Sequence, residues 1–173
     1  MKRLVFGLRL LTIVVLTAGC TQQPQQVRRL HEQKEPDSAV MAQMDFNMQM
    51  ANAADKLCSE WVKKDSATYV LDEFGFWYHK TIKQQTDSSL QQGENIVLHM
   101  LLAELNGQLL ADVKDEFVVG GGNLPVSINR CLKLMSRGEE MQIVAPWYAA
   151  YGIEGTTLIK PYTNLIITLK IEE

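Results

Sequence analysis

Apolar positions along the chain change period once, near residue 66. Between Asp37 and Asp65, Met41, Met44, Met48, Ala51, Ala54, Leu57, Cys58 and Trp61 recur at spacings of three and four, which is the pattern of an amphipathic helix. Asp37 and Ser38 follow Pro36 as cap candidates, and Lys63–Lys64 bring positive charge to the far end, where a helix dipole favours it. From Ser66 onward the period falls to two. Thr68 and Val70, then Phe76, Tyr78, Lys80 and Ile82, read as two strands about Gly75. "IVLHMLLAEL" predicts a long strand stopped by the Asn106–Gly107 turn signal. "EFVV" predicts a short strand running into Gly120–Gly122; strands also fall in "MQIVAP" and "NLIITLKI". "LPVSINRCLKLM" predicts a brief helix with Ile128, Cys131, Leu132 and Met135 on one side. Five or six antiparallel strands with one short internal helix make an α+β protein, a curved sheet wrapped on a helix.

The first residues are of another character. Lys2, Arg3 and Arg9 precede and flank a short apolar run, and small residues Ala18 and Gly19 lead to Cys20. This is a targeting segment, residues 1–19, to be kept out of the fold. It resembles a bacterial lipoprotein signal, in which Cys20 becomes the lipidated first residue; Thr17 stands where Leu is more usual. Acyl chains on Cys20 would hold the protein at a membrane surface. Residue 21 is Thr rather than Asp and no acidic run follows, which by the same resemblance implies the bacterial outer membrane, facing the periplasm. Residues 20–37, with two Pro and five Gln from 21 to 37, cannot bury enough apolar surface to fold and read as a flexible tether. The N-terminal helix then occupies 38–65 and the α+β domain 66–173.

Charge and cysteine usage narrow the function. Three of the 17 basic residues lie in the targeting segment, leaving 14 against 20 acidic ones. A mildly acidic chain without basic clusters makes a poor nucleic-acid binder. Cys58 and Cys131 sit in helical, apolar surroundings, which favours buried free thiols, although an oxidising envelope would permit pairing. With scattered His and no CxxC, a zinc site is not expected; no cofactor is called for. The Gly120–Gly122 run has no following GK[ST] and is not a phosphate loop. The Met-rich stripe of the first helix is expected to pack on the sheet; a partner-binding or self-associating face is the other reading.

Four segments in order carry a resemblance: Gly93 to Gly107, Leu132 to Glu139, Pro146 to Gly152, and Ile159 to Leu165. They are similar to the G-x-x-V strand with its dG turn, the L-x-x-M-x-x-G-E segment, the P-x-x-x-A-Y-G box and the closing I-x-P-x-x-x-L strand of FKBP-type peptidyl-prolyl cis-trans isomerases. The likeness covers about residues 67–173. With the lipoprotein signal and helical lead-in, it resembles the membrane-anchored branch that includes gliding-motility-associated lipoproteins. The resemblance implies an FKBP-like sheet, a role in folding envelope proteins that contain proline, and a shallow apolar pocket for a prolyl ring. Carried over by position, Tyr151, Ile128 and Ile167 match the catalytic positions. Met100, Leu110, Phe117, Leu124, Leu158 and Ile159 match the substrate-binding lining. Tyr151 would offer a hydroxyl at the rim.

Several of those positions depart from the pattern. Met100 replaces an aromatic, Leu110–Ala111 replaces an F-D pair and its buried carboxylate, and Ile128 replaces the Trp that floors the pocket. Pro125 falls at or beside a position whose backbone N–H binds substrate, and Pro has none. Activity below that of a full-motif member is expected. A non-catalytic FKBP-like chaperone and a structural subunit of an envelope complex are the competing functions.

Overall fold

In the computed structural model the described residues are 37–82 and 89–172. The targeting segment, Cys20, most of the tether and part of the loop after the second strand lie outside them. Helix α1 runs from Ser38 to Lys64, with the Asp37 carboxylate accepting from the Ala39 N–H and Lys63–Lys64 in its last turn. Six strands follow: β1 Val70–Leu71, β2 Trp77–Ile82, β3 Asn95–Glu104, β4 Leu109–Val118, β5 Glu140–Ala145 and β6 Leu165–Ile171. Helix α2, Val126–Leu132, separates β4 from β5, and a short 3-10 turn, Trp147–Ala149, follows β5.

The strands form one antiparallel sheet in the order β1-β2-β5-β6-β3-β4. Pairing fixes which side chains share a face. Leu102 stands opposite Ile167 and Met100 opposite Leu169, while Ile143 faces Ile167 and Met141 faces Leu169 across the next ladder. All six are buried. On this layer sits α2, with Ile128, Cys131, Leu132 and nearby Met135 fully enclosed. The period-two and period-3.6 readings of these segments thus meet in one core. β4 is longer than the short strand expected from "EFVV". It begins directly after the Asn106–Gly107 turn, and a register shift against Leu102–Ala103 leaves Leu110 as an extra residue. Such a bulge breaks the alternation that would have announced the strand.

Cys58 and Cys131 are buried free thiols. Burial raises the Cys58 thiol to about 12, with Asp55 adding to the effect. Burial, then Asp72, raises Cys131 further.

The Met-rich stripe does not pack on the sheet. Met41, Met44 and Met48 are 44%, 58% and 59% exposed, and only Ala54 and Cys58 of α1 are buried. The helix meets β5 and the 3-10 turn through its C-terminal half. Geometry explains the correction. At 1.5 Å per residue α1 is roughly 40 Å long. A ten-residue strand spans only about 33 Å, and six strands stacked about 4.8 Å apart less still. A helix docked by its small residues at one end must overhang.

Candidate functional site

The site is assembled from two loops that flank α2. The first is the β4–α2 connection. Gly120 and Gly122 adopt φ of 73° and 79°, a left-handed backbone that Gly adopts freely. At Gly120 a Cβ would also run into the Gln92 side chain. The bend delivers Leu124 and Pro125 to the start of α2, where Pro125 occupies the cap position with φ −51° and ψ 155°. The second loop follows β5. Pro146 starts the 3-10 turn, Gly152 N–H donates to the Trp147 carbonyl at 2.8 Å, and the chain passes through Tyr151 to Glu154.

Two side chains hold these loops in register. Buried Ser127 of α2 donates its hydroxyl to the Ala149 carbonyl at 2.7 Å. Asn129 donates Nδ2–H to the Leu124 carbonyl at 2.6 Å. Between the loops lies an open groove of about 400 Å³, walled by Leu124–Pro125 on one side and Ala150–Tyr151 on the other, with Asn123, Ile153 and Glu154 at its edge. Tyr151 is half-buried, and desolvation raises its phenol above the ordinary tyrosine value. A phenol so raised stays protonated at neutral pH and can act as a hydrogen-bond donor. Pro125 brings no N–H to the opposite wall.

Of the nine expected site residues, only Tyr151 and Leu124 line this groove. Ile128 and Ile167 are 0% exposed, and Met100 and Ile159 are also buried. They lie in the core rather than on an open surface. Leu110 at the β4 bulge and Phe117 on β4 are half-buried against the core, while Leu158 is exposed. This groove is therefore not lined by all nine. Side-chain identity marked apolar positions; burial divided them between core and surface. Pro125, noted for its missing donor, is a wall residue, and Ala150, Ile153 and Glu154 come from the turn around Tyr151. Ser127 carried no sequence signal, being one small polar residue within a helical period.

A second groove of about 360 Å³ lies at the other end of the sheet, between Val70, Tyr78, His79, Lys80 and Leu134. Lys80 Nζ there is 2.8 Å from Glu139 Oε2, which also accepts from the Ser136 N–H at 2.8 Å. Arg130 ties α2 to the β1–β2 turn through Asp72 at 3.0 Å and Glu73 at 2.8 Å, and lies over the Phe74 ring. These charges are held in internal pairs and serve the frame of the fold.

No protein-family model matches the sequence, and no curated protein matches it. Solved structures do. FkpA from Escherichia coli is similar with a TM-score of 0.61 and 18% identity, over 79% of this chain and 64% of FkpA. The chain thus spans slightly under two thirds of that protein's length. A peptidyl-prolyl cis-trans isomerase from Pseudomonas syringae pv. tomato is similar with a TM-score of 0.57 and 18% identity, over 73% of this chain and 93% of that one. At such identity the likeness speaks to architecture: residues from β1 to β6 have the FKBP-like fold, a six-stranded antiparallel sheet curled over one short helix.

Proposed function

We propose that this chain is a peptidyl-prolyl cis-trans isomerase of the bacterial envelope, lipid-anchored through Cys20, that receives proline-containing segments in the Leu124–Tyr151 groove. The carrying observation is that an open groove beside α2 has Leu124, Pro125, Ala150 and Tyr151 among its lining residues, on a fold shared with a peptidyl-prolyl isomerase. The chemistry asks little of a site. An X–Pro bond prefers trans by only about 0.5–1 kcal/mol, behind a barrier of roughly 18–20 kcal/mol. No bond breaks. A catalyst need only favour the twisted amide, which has lost its resonance and polarity, over the planar one. Apolar contact disfavours the polar planar form, and a donor such as the Tyr151 hydroxyl fixes the substrate carbonyl. With Ile128 and Ile167 enclosed and Pro125 lacking a donor, the rate is below that of a site with a deep aromatic floor.

The same burial of Ile128 and Ile167 favours a second reading, a non-catalytic binding module or chaperone that holds apolar or proline-containing segments. Partner or self-association through the exposed Met41–Met48 face would accompany either. A proline-peptide isomerisation assay on the full-length chain in detergent micelles separates them. Isomerisation above background, reduced about 2- to 10-fold by Tyr151→Phe through the loss of one hydrogen bond, is the expected result. Peptide binding without any rate leaves the module. Membrane fractionation tests the anchor: Cys20→Ser should release the protein from the outer-membrane fraction, and retention there would overturn it.

A further inference from the structure

Tyr162 is the one non-glycine among the described residues with a left-handed backbone, at φ 59°. A bulky aromatic is unusual there; Gly and Asn are the common occupants. Surrounding contacts must therefore hold it, and they come from two directions. On the loop side, the Tyr162 N–H donates to the Gly152 carbonyl at 3.2 Å, next to Tyr151. Its ring meets buried Trp147 edge-on at 4.9 Å between centroids. On the helix side, the Tyr162 hydroxyl donates to Asn47 Oδ1 at 2.8 Å, which also accepts from Gln43 Nε2–H at 3.0 Å. Phe46 stands against the ring edge at 5.6 Å. Nearby, the Tyr148 hydroxyl donates to Asp55 of α1. The loop between is tightly folded. Gly155 N–H bonds the Tyr151 carbonyl at 3.1 Å, and a Cβ on Gly155 would strike the Ile159 carbonyl oxygen at 2.2 Å.

We infer that Tyr162 is a positioning residue that couples helix α1 to the rim of the groove: α1 holds Tyr162, and Tyr162 holds the Gly152 carbonyl and hence Tyr151. The inference rests on the groove being the proline-binding site. Its content is that α1, which lines no part of the groove, sets the groove's geometry. Either partner of the strut should then be able to disturb the site from outside it.

Three variants of the full-length chain test this. Tyr162→Asn suits the left-handed backbone while removing the ring and hydroxyl; Tyr162→Phe removes the hydroxyl alone; Asn47→Leu removes the acceptor on α1. The readouts are KM and kcat for a proline peptide, amide hydrogen exchange at Gly152–Thr156, and thermal midpoint. Expected are faster exchange at Gly152–Thr156 and a KM raised about 3- to 10-fold with kcat nearly unchanged, for Tyr162→Asn and Asn47→Leu, with a smaller effect for Tyr162→Phe. A lower midpoint with exchange and KM at wild-type values would reduce Tyr162 to a structural residue and overturn the inference. If the wild type neither binds nor turns over proline peptides, the functional reading fails by itself. The exchange readout then still decides the coupling: unchanged protection of Gly152–Thr156 in Asn47→Leu rejects it.

Discussion

Truncating Ile167 and Ile128 to Ala separates core from pocket wall. Both side chains are fully enclosed. Ile167 lies between Leu102 and Ile143 on adjacent strands, and Ile128 lies on the α2 face against the sheet. Each change removes roughly three methyl equivalents at ~0.8 kcal/mol each, or roughly 2.4 kcal/mol of transfer free energy. Flanking residues on three hydrogen-bonded strands cannot collapse far into the space, so the cavity raises the expected loss to about 3–4 kcal/mol. With a urea m-value of about 2 kcal/mol/M for a domain of this size, the unfolding midpoint should fall by roughly 1.5–2 M at constant m. Leu124→Ala is the contrast. Leu124 is half-buried on the groove wall, so the loss should stay near 1 kcal/mol while KM for a proline peptide rises. Urea titration followed by Trp fluorescence reads all three. A loss below about 1 kcal/mol for Ile167→Ala at unchanged m would mean the side chain borders open space. Ile167 would then belong to the groove and not to the core.

Other outcomes follow from the same structure. Lys80→Met takes the Lys80 charge away from the Glu139 carboxylate, which is 5% exposed and also accepts from the Ser136 N–H; because Lys80 is itself partly solvated, about 1–3 kcal/mol should be lost, with Lys80→Met/Glu139→Gln recovering part of it in urea melts. Cys58 and Cys131 should resist a thiol reagent at neutral pH until denaturant is added; prompt native-state labelling would contradict their burial. Burial raises Cys58 from 9.0 and Tyr69 from 10.0, each to about 12. The folded state thus binds protons more tightly than the unfolded chain, and their stabilisation, intact below pH 9, should be lost as pH rises from about 9 to 12. Urea midpoints at pH 7.5 and 10 check the sign. Met44→Lys with Met48→Lys should change the stability of the full-length chain by no more than about 0.5 kcal/mol, since both residues are exposed; a multi-kcal loss would mean the stripe is covered.

Much of the frame was legible because its signals are local. Alternation in β3, β5 and β6, the Asn106–Gly107 turn, and the one-sided apolar face of α2 each follow from a few neighbouring residues. What was not legible depends on distant parts. The stripe of α1 has the period of a packed helix along its whole length, yet only the end bearing Ala54 and Cys58 meets the sheet. No local pattern encodes where a helix runs past its support. β4 hid its first half behind the bulge at Leu110. Tyr162, following Pro161, has an ordinary loop sequence; only contacts with α1 and Trp147 reveal its constrained backbone.

The same distinction governs the candidate site. Positional resemblance carries over the order of residues along strands and helices, and Ile128, Ile167, Met100 and Ile159 do occupy the inner layer. It does not carry over exposure, which depends on the volumes of all the surrounding side chains. An amide is desolvated only by surface it can touch, so a residue sealed beneath a groove contributes to its shape and not to its chemistry. In the proposed proline groove, Leu124, Pro125, Ala150 and Tyr151 stand in place of a deep aromatic pocket. Three of these supply apolar contact; the fourth alone adds a side-chain donor. If the groove receives a proline ring, as proposed, Tyr151 and Asn123 are the side-chain donors on hand to orient the carbonyl beside it. Ordering of the Tyr151 loop by Ser127, Gly155 and Tyr162 therefore matters more to any catalysis here than the identity of the residues in the core below.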